Sequence, residues 1–187
     1  NAAGDITIGV YAHEIGHLFG LPDLYDIDGS SRGIGRWSLM SSGSWNGTLG
    51  NSPAHLDAWC KQELGFVTPT NVGVNTTGAV IPQIKDSPTV FRVWKDGIIG
   101  NEYYLIENRQ KVGYDAQLPG AGLCIWHVDD TRSSNSAEWY PTHTSSGNFW
   151  VALEQADALW ELEKNLDYGD TGDPFPGSRS GSSPWRP

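Results

Sequence analysis

The feature that most constrains this chain is a short segment near its start, His13-Glu14-Ile15-Gly16-His17, which has the spacing H-E-x-x-H. On a helix, residues i and i+4 project from one face, so two imidazoles at that spacing can grip a single ion. The segment therefore has to be helical to have chemical meaning, and its flanks agree. Asp5 is suited to cap a helix over 6–19, and Gly20 followed by Pro22 is suited to end it. Glu14, rotated by about 100° from His13, places its carboxylate beside the ion, where it can deprotonate a bound water without being a ligand. Zinc lowers the pKa of such a water to about 7, so the pattern implies a general base, Glu14, and a nucleophile that works at neutral pH.

The pattern continues beyond the helix as H-E-x-x-H-x-x-G-x-x-D, with Gly20 and Asp23. Glycine can take positive φ, ending the helix and turning the chain so that Asp23 returns toward the ion as a third ligand beside His13 and His17. Two other readings of Asp23 stay open at this point: an ordinary turn acid before Leu24-Tyr25-Asp26, or one member of a calcium loop with Asp26 and Asp28. A third ligand from a downstream helix is the competing zinc arrangement, and Glu63 is the next glutamate after Glu14. That arrangement leaves Gly20 and Asp23 without a role.

Composition bounds what else the chain can be. At 187 residues with 38% hydrophobic content it can bury a core without staples. No run approaches the roughly 18 apolar residues of a membrane span, so a soluble protein is expected. With 22 acidic against 12 basic residues and a net charge of −10, a nucleic-acid partner is not expected, because phosphate binding needs clustered Lys and Arg. The two cysteines, Cys60 and Cys124, rule out a Cys-rich zinc site and leave either one disulfide or two buried thiols. The start, Asn1-Ala2-Ala3-Gly4-Asp5, has no leader pattern and no initiator Met, which reads as a mature or excised piece.

Residues 26–52, rich in Ser and Gly, read as a long irregular segment of the kind that is usually functional. A helix is expected over 53–64, opened by Pro53 and closed by Gly65, with Cys60 facing inward. From residue 78 the texture changes to short β-rich runs at 79–84, 89–94, 102–108, 122–128 and 149–153, and the Ser/Gly-rich end from Gly177 to Pro184 reads as a flexible tail. A boundary near residue 70 gives two parts, 1–70 and 71–187, in an α+β chain whose second part is sandwich-like. Asp167, Asp170 and Asp173, with Gly169 and Gly172 between them, have a carboxylate density that suits calcium, although Asp and Gly also dominate solvent turns. His55, His127 and His143 have no spacing that links them to the metal helix, and structural roles are expected for them. Glu107 in an apolar strand needs a cation if buried, with Arg109 one partner; Glu154 raises the same question. The tryptophans at 94, 126, 139, 150 and 160 fit a core, or the face of a carbohydrate- or protein-binding module with a structural metal.

The first segment resembles the metzincin zinc peptidases, whose signature is H-E-x-x-H-x-x-G-x-x-H, with Asp23 where most have a third histidine. Metzincins carry a tight turn with a methionine beneath the metal, and the single Met of this chain, in Trp37-Ser38-Leu39-Met40, fits that place; core filling is the plainer reading of Met40. More specifically the chain is similar to the immune inhibitor A family of secreted bacterial metallopeptidases, which have Asp at the third position. Gly20-Leu21-Pro22-Asp23-Leu24-Tyr25-Asp26, Glu102-Tyr103-Tyr104-Leu105-Ile106-Glu107-Asn108-Arg109-Gln110, Gly122-Leu123-Cys124-Ile125-Trp126-His127-Val128, Ala152-Leu153-Glu154-Gln155-Ala156-Asp157 and Gly172-Asp173-Pro174-Phe175-Pro176-Gly177 carry that likeness. The resemblance implies a secreted zinc endopeptidase acting on protein or peptide substrates, with calcium as a second ion. It implies a metzincin-like zinc-helix and Met-turn subdomain followed by the β-rich segment. Such catalytic domains also have an upper part before the zinc helix, and only twelve residues precede His13 here. A missing N-terminal part of the same catalytic domain is thus an expected partner, and a non-catalytic pseudoenzyme with a structural metal is the alternative.

Overall fold

The computed structural model describes residues 7–177. The expected Asp5 cap and the tail from residue 178 onward lie outside the described residues. Helix α1 spans Ile8–Leu18 with Thr7 at its N-cap position. Its buried face is Gly9, His13 and Gly16, while Ile8, Tyr11, Ile15 and Leu18 are exposed. A Cβ at Gly9 would overlap the Ser44 carbonyl oxygen, and one at Gly16 would lie 2.5 Å from the Met40 sulfur. The two glycines thus let the helix lie directly on the loop that follows it. The helix ends in a Schellman turn: Leu21 N–H donates to Gly16 O and Gly20 N–H to His17 O, with Gly20 at φ 90°. Leu21 is thereby turned inward at 4% exposure.

The segment 26–52 is irregular but tightly folded, with short 3₁₀ turns at Gly35–Trp37 and Ser42–Trp45. Trp37, Ser38 and Met40 are fully buried. Helix α2 spans only Ala58–Glu63, so the expected start at Pro53 is corrected. The reason is Asp57, whose carboxylate accepts from Cys60 N–H as an N-cap and also from the Ser38 hydroxyl. Residues 53–57 stay extended instead, and their backbone groups serve other segments.

One five-stranded sheet follows, in the order β1 (Thr70–Asn71), β2 (Phe91–Trp94), β3 (Glu102–Arg109), β4 (Gly122–Asp129) and β5 (Val151–Leu153). The first pair is parallel and the rest are antiparallel, with β3 and β4 in register from Glu102 opposite Asp129 to Arg109 opposite Gly122. Among the described residues this single mixed sheet takes the place of the sandwich-like packing expected, within an α+β chain. Four of the five expected strands form, within a residue or two. The run 79–84 does not, and contributes one bridge between Gln83 and Asn108.

Strand β3 buries alternate residues, Tyr103, Leu105, Glu107 and Arg109. This face packs on α2 and the segment after α1, so that one buried cluster joins Leu24, Trp37, Met40 and Trp59 to Leu105, Trp126 and Leu153 across residue 70. Within it Glu107 accepts from Lys61 Nζ at 2.5 Å, and from Arg109 Nη1 and Trp126 Nε1 at 3.1 Å each. The glutamate is fully buried, and the two cations compensate its charge. Cys60 and Cys124 are free, buried thiols, and burial pushes both well above the ordinary thiol pKa. Trp126 and Trp160 are core residues, and Trp139 and Trp150 pack edge-on against Trp160 and Trp59. No helix among the described residues is long and apolar enough to cross a membrane.

Candidate metal centre

Helix α1 delivers His13 and His17 one turn apart, and the Schellman turn brings Asp23 back over them. His13 Nε2 lies 3.2 Å from His17 Nε2, and Asp23 Oδ1 lies 3.1 and 3.2 Å from these two nitrogens. The donor triangle is nearly equilateral. Atoms bound to one tetrahedral zinc at 2.0–2.1 Å stand roughly 3.3 Å apart, so the set has the dimensions of one face of such a site.

The protons identify what this triangle needs. His13 Nδ1 is 2.8 Å from Leu39 O, and His17 Nδ1 is 2.8 Å from Leu21 O. A carbonyl oxygen only accepts, so each Nδ1 carries a hydrogen, and in the neutral imidazole each Nε2 then presents a lone pair. Asp23 Oδ1 is buried without a hydrogen-bond donor. With both imidazoles neutral, three lone-pair donors converge with no proton among them, an arrangement that a cation at its centre would relieve. Two imidazoles and one carboxylate suit a borderline ion of the zinc class better than calcium, which takes oxygen donors. The residues present fit the metal that the spacing calls for.

The fully buried Met40 lies against α1 at Gly16, and Leu24 N–H donates to Met40 O at 2.8 Å. Glu14 and His13 line a cleft of about 280 Å³ with Val10, Tyr25, Ser41, Ser42, Ser44 and Trp45. Tyr25 lies parallel to the His13 ring at 6.4 Å. Burial, then a hydrogen bond to Asp23 and the charges of Asp23 and Glu14, raise its phenol pKa above the ordinary value. Glu63 is exposed on α2 and bonds to its neighbour Gln62; it is not among the grouped ligands. Asp26 caps its own turn, accepting from Asp28 N–H, Ser31 N–H and the Ser30 hydroxyl.

A second group of ligand atoms is formed by Asp157, Glu161 and Asp170. Of the three aspartates singled out for calcium, Asp170 is in this group. Asp167 accepts from Gly169 N–H, and Asp173 is buried, accepting from Trp37 Nε1 and Asp170 N–H. Burial foremost, with repulsion from Asp167 and Asp170, raises the pKa values of Asp157 and Glu161. The sequence reading missed Asp157 and Glu161 because they come from a turn some ten residues earlier. The remaining histidines lie elsewhere: His127 pairs with Glu102, His143 with Glu138, and His55 has its pKa lowered by burial.

Residues 2–68 match the family described as immune inhibitor A peptidase M6, catalytic domain. A stretch of 63 residues is 48% identical to the pre-pro-metalloprotease PrtV of Vibrio cholerae serotype O1, covering 32% of this chain and 7% of that protein. Another, of 61 residues, is 50% identical to immune inhibitor A of Bacillus thuringiensis subsp. alesti, covering 31% of this chain and 9% of that protein. The matched stretch is thus under a tenth of either relative's length. Over residues 2–68, the segment that carries His13, Glu14, His17, Asp23 and Met40, the chain is similar to the immune inhibitor A peptidase M6 catalytic domain.

Proposed function

We propose that this chain carries the metal-ligand half of a zinc-dependent endopeptidase site, with His13, His17 and Asp23 as ligands and Glu14 as general base. The observation that carries the reading is the converging triangle of three lone-pair donors at 3.1–3.2 Å. Zinc held there would supply positive charge to acidify a water and polarise a peptide carbonyl. Glu14, at the rim of the same cleft, takes a proton from the attacking water and returns it to the amine of the departing chain. Leu39 O and Leu21 O hold the two imidazoles in one tautomer. The cleft accepts a side chain of a protein substrate. The name of the Vibrio relative, a pre-pro-metalloprotease, supports an exported protein.

The deciding experiment is zinc analysis and casein cleavage on the full-length polypeptide and its Glu14→Gln variant. Zinc content should stay at about one per chain while cleavage falls by roughly 10²–10⁴-fold, the usual contribution of a general base. Equal cleavage by both proteins would overturn the assignment of Glu14. A wild type that binds zinc but cleaves nothing would favour a pseudoenzyme with a structural metal.

A further inference from the structure

The buried charges of the sheet do not stop at Glu107. Arg109 is fully buried on β3 and grips Asp115 with two donors, Nε to Oδ2 at 2.9 Å and Nη2 to Oδ1 at 2.7 Å. Its Nη1 also donates to Trp37 O at 3.2 Å. Asp115, 2% exposed, accepts from His55 N–H at 2.8 Å. His55 O in turn accepts from Leu39 N–H at 3.2 Å, and Leu39 O accepts from His13 Nδ1 at 2.8 Å. The pair thus fastens Trp37 and His55, the two backbone segments on either side of Leu39, and Leu39 orients an imidazole of the metal centre.

We propose that Asp115, held by Arg109, is a positioning residue for His13, acting through the backbone of His55 and Leu39; this rests on the zinc reading above. An imidazole offers its lone pair along one direction, so a small displacement of the Leu39 carbonyl turns Nε2 off the shared centre. Partners that orient a metal-bound histidine typically change metal affinity by about 10–100-fold when removed. Here the orienting group is a main-chain carbonyl, which no side-chain substitution can delete. Asp115 and Arg109 are the side-chain pair that holds both Trp37 and His55, the backbone on either side of it.

The test measures zinc affinity by competition with a chromophoric chelator on the full-length polypeptide, at a temperature where each variant is folded by circular dichroism. Asp115→Asn should bind zinc about 10–100-fold more weakly than wild type. A double variant, Arg109→Met with Asp115→Leu, removes both charges and leaves Glu107 paired with Lys61, and should show the same loss. Leu105→Ala, on the same strand face but outside this chain of hydrogen bonds, lowers stability and should leave zinc affinity at the wild-type value. Unchanged affinity in both charge variants, or an equal loss in Leu105→Ala, would overturn the proposal while leaving the zinc reading intact. Failure of both charge variants to fold assigns the pair to stability and overturns it likewise. A wild type that binds no zinc, or a His13→Ala variant that binds it normally, removes the zinc reading and this inference together.

Discussion

In the His13–His17–Asp23 group each histidine is held from behind by a backbone carbonyl, whereas in the Asp157–Glu161–Asp170 group the aspartates are held by amides of their own turns. Asp157 accepts from Leu159 N–H and Asp170 from Gly172 N–H, while Glu161 Oε2 has no partner. The first group converges to 3.1–3.2 Å, and the atoms of the second lie within 4.8 Å of one another. Carbonyls behind the rings, Leu21 nearby and Leu39 far along the chain, set the directions of the imidazoles, and the turns of the second group set only the density of charge. The first is a converging set of oriented groups, and the second is a set of like charges that repel one another.

The largest effect that separates the two groups is on zinc itself. His13→Ala should reduce zinc from about one per chain to none by elemental analysis, and Asp157→Ala should leave it at one. Zinc loss in the Asp157 variant would erase the distinction.

The anchoring can also be broken from the scaffold side. Gly9→Ala puts a methyl group into the Ser44 carbonyl and close to Gly50 O, both backbone atoms that cannot swing aside. It should destabilise by about 1–3 kcal/mol in a denaturant titration despite the better helix propensity of alanine. Gly16→Ala meets the flexible end of Met40 and should cost less. Equal costs would mean that the helix, not the loop, moves.

The smallest effect concerns the repulsion in the second group. Asp157 and Glu161 have folded-state pKa values above their ordinary 3.8 and 4.5, so the folded protein holds more protons than the unfolded chain just above those values. Their charges therefore weaken the fold as pH rises through that window, the reverse of a salt-bridged acid. Asp170→Asn removes one repelling charge. In chelator it should be more stable than wild type by about a few tenths of a kcal/mol at pH 7, with the gain vanishing toward pH 4 as the carboxylates take up protons. A gain independent of pH would refute the repulsion.

The convergence of His13, His17 and Asp23 was legible because H-E-x-x-H and the glycine that ends α1 are local features, whose consequences lie within one helix and one turn. Strands β2 to β5 were legible from β-branched and aromatic runs to within a residue or two, whereas β1 was not read and the run 79–84 forms no strand. What could not be read is what depends on distant partners. Glu107 and Arg109 alternate onto the buried face of β3 while Ile106 is half-exposed, the opposite of an apolar-in, polar-out pattern. Helix α2 starts at Ala58, after its Asp57 cap, rather than at Pro53 because Ser38 and Asp115 recruit the preceding residues. Asp115 and Asn135 carried no signal at all. Asn135 binds Leu24 O and both backbone groups of Val151, tying the segment beside Asp23 to β5, and only the tertiary structure reveals it.

Helix α1 is inside out. Its solvent side carries Ile8, Tyr11, Ile15 and Leu18, and its inner side carries two glycines around a histidine. Judged by hydrophobicity alone it would roll over, bury the isoleucines and throw its ligands into water. The absence of side chains at Gly9 and Gly16 decides the matter, since only that face is thin enough to touch the loop. The roll angle of the ligand pair is thus fixed by clearance rather than by attraction.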